Sequence, residues 1–364
     1  MTPNKPDLVL HIGTEKTGTT TIQNFLKANR DQLRRQSVYV SEDLMIPSGN
    51  QRWLAALAYN ATRIDELIST QGYRSKAERD QDMVNRYERL KQEIEASTSD
   101  CKRWIISSEH LQSRLTTDEE IHRLYQLLKE LFNEITIVLY IRNPVDTAIS
   151  LLSMFCVYGD VLEQLPEPSQ RHVDLICNHA RILEQWQKNF PKTKIKLRLF
   201  EKDRLNEGDL IKDFCGQARI TPGADWNLKA QHSNERLTLK GMRYLHHLNG
   251  RFPPLVHGNK NPERGNLAAY VHNFTKQEEP FRITLEQQQA YEQHYAESNE
   301  TIRGRYFPNQ STLWSEKTRQ YADSTIKLSD IDNIDLACLK MFAEVWATTQ
   351  QQSQKIRTIQ QLLS

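Results

Sequence analysis

The 364-residue sequence holds only five cysteines, Cys101, Cys156, Cys177, Cys215 and Cys338, with no CxxC pair among them. That excludes a zinc-ribbon or disulfide scaffold and suits a reducing compartment. Glycine and proline are scarce too, 13 of each, which excludes a collagen-like or low-complexity chain. Neither sign of charge dominates: 48 Lys+Arg stand against 46 Asp+Glu, a net charge of +2. A protein that coats nucleic acid through its overall field would be strongly basic, so no nucleic-acid partner is expected. No apolar run approaches the ~20 residues that span a bilayer. Residues 1–7 are polar and lead into the short run 8–12, far short of a signal-peptide core. The expectation is a cytoplasmic protein without a transmembrane segment.

What is present suffices for a core: 38% hydrophobic residues, with 6 Trp, 13 Tyr and 11 Phe. Residues 8–12 read as a strand running into Gly13, and Ile22, Phe25, Leu26 and Leu33 then share one helix face. Further β-like runs at 37–40, 104–107, 135–141 and 194–200 alternate with helical patterns at 121–132, 144–155 and 172–189. This predicts an α/β fold of three αβα layers around a central parallel sheet. Residues 41–100 read as a helical insertion. From 249 to 282 the periodicity disappears at Gly250, Pro253, Pro254, Gly258, Pro262, Gly265 and Pro280, so this stretch reads as an irregular loop over the site. Helical patterns resume at 285–303 and from about 330, with Ile356, Ile359 and Leu363 on one face. Residues 310–364 are expected to form a C-terminal helical extension, a surface for a homo-oligomer. With no repeat or linker, residues 1–364 read as a single domain.

The segment His11-Ile12-Gly13-Thr14-Glu15-Lys16-Thr17-Gly18-Thr19-Thr20-Thr21 joins strand to helix. Backbone N–H groups and the helix dipole make such a junction an anion site. Gly13 and Gly18 have P-loop spacing, but Thr19 stands where a Walker lysine belongs and the lysine has moved to Lys16. The alternative is an ordinary glycine-containing turn. The 104–107 strand ends in Ser-Ser-Glu-His, a poor magnesium site, so no metal is expected.

Strand 135–141 ends in Arg142-Asn143-Pro144-Val145-Asp146-Thr147-Ala148-Ile149-Ser150. Asn143 suits an N-cap, Pro144 the first helical position, and Asp146 the helix dipole. Arg142 is left at the tip of a core strand, where open α/β sheets bind ligands, and Ser150 can offer a hydroxyl to the same anion. A surface salt bridge for Arg142 and a solvated or helix-bonded hydroxyl for Ser150 fit equally well.

These two motifs together resemble the sulfotransferases that use 3′-phosphoadenosine 5′-phosphosulfate (PAPS). Lys16 to Thr21 resemble the family's 5′-phosphosulfate loop, and Tyr140-Ile141-Arg142-Asn143-Pro144 through Ser150 its 3′-phosphate motif. The resemblance covers about residues 7–220, continues in 199–214, and extends more loosely to Asn234-Glu235-Arg236-Leu237 and Ser298-Asn299 of bacterial glycan-type members. Leu239-Lys240-Gly241 lacks the arginine of the Arg-Lys-Gly loop of small-molecule sulfotransferases, which favours the carbohydrate-modifying branch.

The resemblance implies a P-loop nucleotide-hydrolase-like fold and in-line transfer of a sulfuryl group from PAPS to a hydroxyl of a carbohydrate or glycolipid. Lys16 would stabilise the leaving phosphate. Thr17, Gly18, Thr19, Thr20 and Thr21 would bind the 5′-phosphate, and Arg142 and Ser150 the 3′-phosphate. Glu109 is preferred as general base, with His110 second. A cap or salt-bridge role for Glu109 and a structural role for His110 stay open. So do two other functions: a P-loop kinase using ATP, and an inactive nucleotide-binding assembly protein. Arg251, His257, Lys260 and Arg264 can read an anionic glycan, and Trp53 and Tyr59 can stack on a ring, although their helical spacing suits a core.

Overall fold

Alternate residues of the central strands point to opposite faces, and both sets are apolar. The computed structural model describes residues 5–228, 236–256 and 259–363. His257, Asn234 and Glu235 lie outside the described residues, as do the side chains of Ile359 and Leu363. Strands β1 (Asp7–His11), β2 (Val38–Tyr39), β3 (Arg103–Ser107), β4 (Ile135–Ile141) and β5 (Lys194–Leu199) form a sheet of order β2-β3-β1-β4-β5. Every pair is parallel, and Leu10 of β1 lies level with Ile106 of β3 and Ile137 of β4.

One face carries Leu8, Leu10, Trp104, Ile106, Ile137 and Leu139, packed with Leu54, Leu90, Leu124 and Trp186. Those four come from helices Trp53–Leu57, Lys76–Ser97, Asp118–Leu131 and His179–Asn189. The other face carries Val9, Ile105, Val138 and Tyr140, covered by Ile22, Phe25 and Leu26 of helix Thr19–Ala28 and Phe214 of helix Leu210–Ala218. The result is the expected three-layer αβα arrangement. The chain leaves β1 toward β2 but leaves β4 toward β5, so the crevice at the C-terminal ends of β1 and β4 is a topological switch point, where such folds bind ligands.

The 41–100 region is helical in part, with Trp53–Leu57, Glu66–Ser69 and Lys76–Ser97. It is tied to helix Asp118–Leu131 by the buried Glu120, which accepts from Arg63 at 2.6 and 2.8 Å and from the Asn60 N–H at 3.0 Å. The 172–189 pattern breaks at Asn178, whose side chain caps the second of two helices, Arg171–Cys177 and His179–Asn189. The 285–303 pattern likewise splits into Leu285–His294 and Ala296–Tyr306.

By their contacts the described residues fall into two compact units. The first comprises Met1–Asn143, Asp174–Ser233 and Tyr295–Ser315, and contains the whole sheet. The second comprises Pro144–Val173, Asn234–His294 and Glu316–Ser364.

In the second unit, 249–282 is more regular than its glycines and prolines suggest. Helix Leu239–Arg251 runs into it, Leu255–Val256 pairs with Asn259–Lys260, and Leu267–Thr275 is a helix burying Leu267, Val271 and Thr275 at four-residue spacing. The breakers mark the ends of short elements, whose length hides their period. The C-terminal extension ends in helix Asn333–Leu363, with Leu339 and Ala343 buried and Ile334, Met341, Val345 and Ile356 exposed. Among the described residues no helix is long and apolar enough to cross a membrane.

Candidate active site

The loop after β1 is stitched to β4 through its backbone. Gly13 C=O accepts from Tyr140 N–H at 2.8 Å, and Thr14 N–H donates to Tyr140 C=O at 2.8 Å. Three residues of the loop take the left-handed conformation: Gly13 (φ 93°), Lys16 (φ 66°) and Gly18 (φ 77°). Glycine adopts it freely, whereas for lysine it costs about 1–3 kcal/mol, a strain that surrounding structure must hold. Alternation of this kind turns successive N–H groups toward one concave side, a nest for an anion. Gly18 also caps helix Thr19–Ala28 without any side-chain cap; Thr21 N–H turns back to Gly18 C=O at 3.0 Å, which leaves the N–H groups of Thr19 and Thr20 for a ligand. A phosphate-class group fits such a cradle. Thr17 is buried and spends its hydroxyl on Thr14 C=O at 2.6 Å, while Thr20 and Thr21 are half-buried in the first turn and Thr19 is buried.

Gly13 is required for a second reason. A Cβ there would lie 2.9 Å from Glu109 Cβ, so the loop and the residue after β3 touch back to back. Glu109 Oε2 accepts from Gln23 Nε2 and Asn50 Nδ2, both at 2.7 Å. Burial, reinforced by the nearby Glu15 carboxylate, raises the Glu109 carboxyl above the ordinary glutamate range. From β4, Arg142 Nη1 donates to Lys16 C=O at 2.9 Å, and its guanidinium lies 5.6 Å from the centre of the Phe200 ring. The loop after β1 is thus touched from both sides, at Lys16 by Arg142 from the end of β4 and at Gly13 by Glu109 from the end of β3.

A family model described as the sulfotransferase family matches residues 9–202, more than half of the chain. The chain belongs to the sulfotransferase family. Two solved structures are similar to it. The sulfotransferase from Alicyclobacillus acidocaldarius has 15% identity and a TM-score of 0.39, over 68% of this chain and 93% of that one. The sulfotransferase domain from the curacin biosynthetic pathway has 11% identity and a TM-score of 0.36, over 79% of this chain and 97% of that one. No curated protein matches the sequence.

Other candidate residues of this sulfotransferase have plainer settings. His110 opens helix His110–Arg114 beside Glu109, and burial, with the positive Arg52 and Arg114, pushes it down to about 3. Ser150 belongs to the second unit, buried in helix Pro144–Tyr158. Asp146 in the first turn of that helix accepts from Lys317 and, at 2.8 Å, from Arg319, which hold its carboxyl down at about 2 against the opposing effect of burial. Trp53 is buried under the Arg86 guanidinium, 3.3 Å from its ring centre, and Tyr59 is buried with its hydroxyl on Asp65 at 2.6 Å. Both are core residues. Arg264 is committed to Asn249, Phe252 C=O and Val157 C=O, and Arg251 to Glu344 at 2.7 Å. Lys260 is exposed. Lys240 and Gly241 lie in the first turn of a helix, where a Gly241 Cβ would meet Thr275 Oγ1 at 2.7 Å, so this glycine serves helix packing.

Sequence reasoning missed Gln23, Asn50, Gln51 and Ser108. Ser108 Oγ donates to Asn50 Oδ1 at 2.7 Å, Gln51 Oε1 accepts from Ser107 N–H at 2.7 Å, and Gln51 Nε2 reaches Ser41 C=O at 3.1 Å. The 41–100 region thus bolts onto the tip of β3 through two neighbouring amides. No local pattern marks Asn50 or Gln23, because their partner is 59 and 86 residues away.

Proposed function

We propose that this sulfotransferase moves a sulfuryl group from PAPS to a hydroxyl of a carbohydrate or glycolipid acceptor. The observation that carries the reading is the contact of an anion nest with a carboxylate of raised proton affinity, Gly13 against Glu109. Lys16, the N–H groups of 17–20 and the Thr21 hydroxyl would hold the 5′-phosphosulfate, which supplies an activated sulfuryl group; the Thr21 N–H is spent on Gly18 C=O at 3.0 Å. The Lys16 ammonium offsets charge gathering on the bridging oxygen. Glu109 takes the proton of the acceptor hydroxyl. A general base works best when its pKa approaches the working pH, which favours Glu109 over His110, pushed down to about 3. Arg142 and Ser150 are assigned to the 3′-phosphate on the resemblance of their motif, as is the carbohydrate class of the acceptor. A cytoplasmic location and self-association through helix Asn333–Leu363 belong to the same proposal. The exposed Ile334, Met341 and Val345 support the latter.

Thermal unfolding with 3′,5′-adenosine bisphosphate, against ATP with Mg²⁺, tests the donor. Stabilisation by the bisphosphate is expected; stabilisation by ATP–Mg²⁺ alone would replace the reading with a kinase. A screen of acceptors with ³⁵S-labelled PAPS then identifies the hydroxyl, and a screen answered only by non-carbohydrate alcohols would overturn the acceptor class.

A further inference from the structure

Both side-chain amides that reach Glu109 stop at the same oxygen. Gln23 comes from the helix after the anion loop and Asn50 from the 41–100 region, and each is almost wholly buried. Buried amides with no task are costly, so their convergence on one atom needs a reason. The Asn50 amide is held at both ends: its Oδ1 accepts from the buried Ser108 hydroxyl, on the chain beside Glu109, and its NH₂ faces the carboxylate, which as an ion only accepts. Gln51 next to it grips Ser107 through both main chain and side chain, which holds Asn50 in register with the tip of β3.

We propose that Gln23 and Asn50 are positioning residues that pin Oε2 of Glu109 and so present Oε1 to the acceptor hydroxyl. This rests on the reading of Glu109 as the base. In the transfer, Oε1 receives the hydroxyl proton and the hydroxyl oxygen bonds to sulfur. The bond from sulfur to the bridging oxygen breaks, and its electrons leave on the phosphate of the bisphosphate. Two N–H donors also favour the ionised carboxyl and oppose burial, which favours the neutral one. The titratable and charged groups around it are Glu15 of the loop, the adjoining His110, Arg114, which reaches Glu15 at 3.4 Å, and Arg52 near His110. Glu15 pushes in the same direction as burial, and against both stand a backbone hydrogen bond of Glu109 itself and the two amides.

The test uses the full chain and the near-isosteric variants Asn50→Leu and Gln23→Met, with Ser108→Ala as a milder change that releases the Asn50 amide. The Glu109 titration is followed by NMR of ¹³C-carboxyl-labelled glutamate, with its signal assigned by its disappearance in Glu109→Gln. The pH profile of bisphosphate release from PAPS is measured in parallel, with glycerol as the hydroxyl probe. The expected result is a Glu109 midpoint moved to higher pH in all three variants, least in Ser108→Ala. The acid limb of kcat/KM should move with it. For every pH unit the midpoint moves, about tenfold more activity should be lost on the acid side than at pH 9. An unmoved midpoint in properly folded variants would overturn the positioning role. A Glu109→Gln enzyme with full turnover would instead remove the base reading, while the NMR titration still reports on the clamp.

Discussion

The two halves of the site are built differently. The loop after β1 is made from six consecutive residues whose backbone conformation is what the proposed anion site rests on, and its side chains mostly tie the loop to itself and to β4. The Glu109 side is made chiefly from side chains, drawn from residue 23, residue 50 and the adjoining residues 108 and 109, on three separate segments. A backbone site is a property of local conformation, so it tolerates changes of side chain but not of φ. A side-chain site depends on the register of distant segments, so it tolerates changes of backbone far away but not the loss of an amide.

The largest effect should come from the side-chain half. Glu109→Gln keeps the shape and the hydrogen-bonding partners near it but removes the proton acceptor, and should lower kcat by about 10²–10⁴-fold. Lys16→Ala should cost about 10²–10³-fold in the same assay, with the bisphosphate still raising the unfolding temperature through the backbone nest. Loss of all bisphosphate binding in Lys16→Ala would mean that the side chain, not the nest, holds the phosphate. Gly13→Ala sits on the seam between the halves, with φ 93° and Glu109 in the way. It should lose about 10²-fold in rate by displacing the carboxylate and about 1–3 kcal/mol in chemical denaturation. Thr20→Val and Thr21→Val, which keep the backbone, should cost no more than about tenfold each, the worth of a hydrogen bond. A larger loss would show that the loop too is a side-chain site.

Stability should respond to pH through the buried histidines His11, His110 and His179, each pushed down to about 3, chiefly by burial. In the unfolded chain each has a pKa near 6.5, so there it binds a proton that the folded form refuses. Their contribution is complete above about pH 6.5 and is lost as pH falls toward 3, by at most about 1.4 kcal/mol per pH unit for each histidine. Urea titrations at pH 7.5 and pH 5 check this, and equal midpoints would contradict it. Smallest of all, Arg251→Ala removes an exposed pair with Glu344 and a 5.6 Å contact with the Phe252 ring, and should leave both unfolding temperature and turnover nearly unchanged. A raised KM for the acceptor would bring that arginine into acceptor binding.

Much of this was legible from the chain alone. Strands 8–12, 104–107 and 135–141 are short β-branched runs whose two faces are both apolar, and they became the centre of the sheet. Trp53 and Tyr59, spaced for a helix, became core. The stretch 249–282 was less legible, since Pro253, Pro254 and Gly265 punctuate elements too short to display a period. Gln23 and Asn50 were silent, because a hydrogen-bond partner has no signature in the donor's own neighbourhood.

The layers, the anion loop and the family are all written in the order of residues. Each follows from local rules: alternation of apolar residues, glycine where φ is positive, and a lysine and threonines at a helix start. Three contacts exist only once the chain has folded. Arg142 closes on the Lys16 carbonyl, Gly13 abuts Glu109, and two amides from other segments share one oxygen. They depend on which strands become neighbours, and the order β2-β3-β1-β4-β5 is chosen by the packing of the whole sheet rather than by any stretch of it.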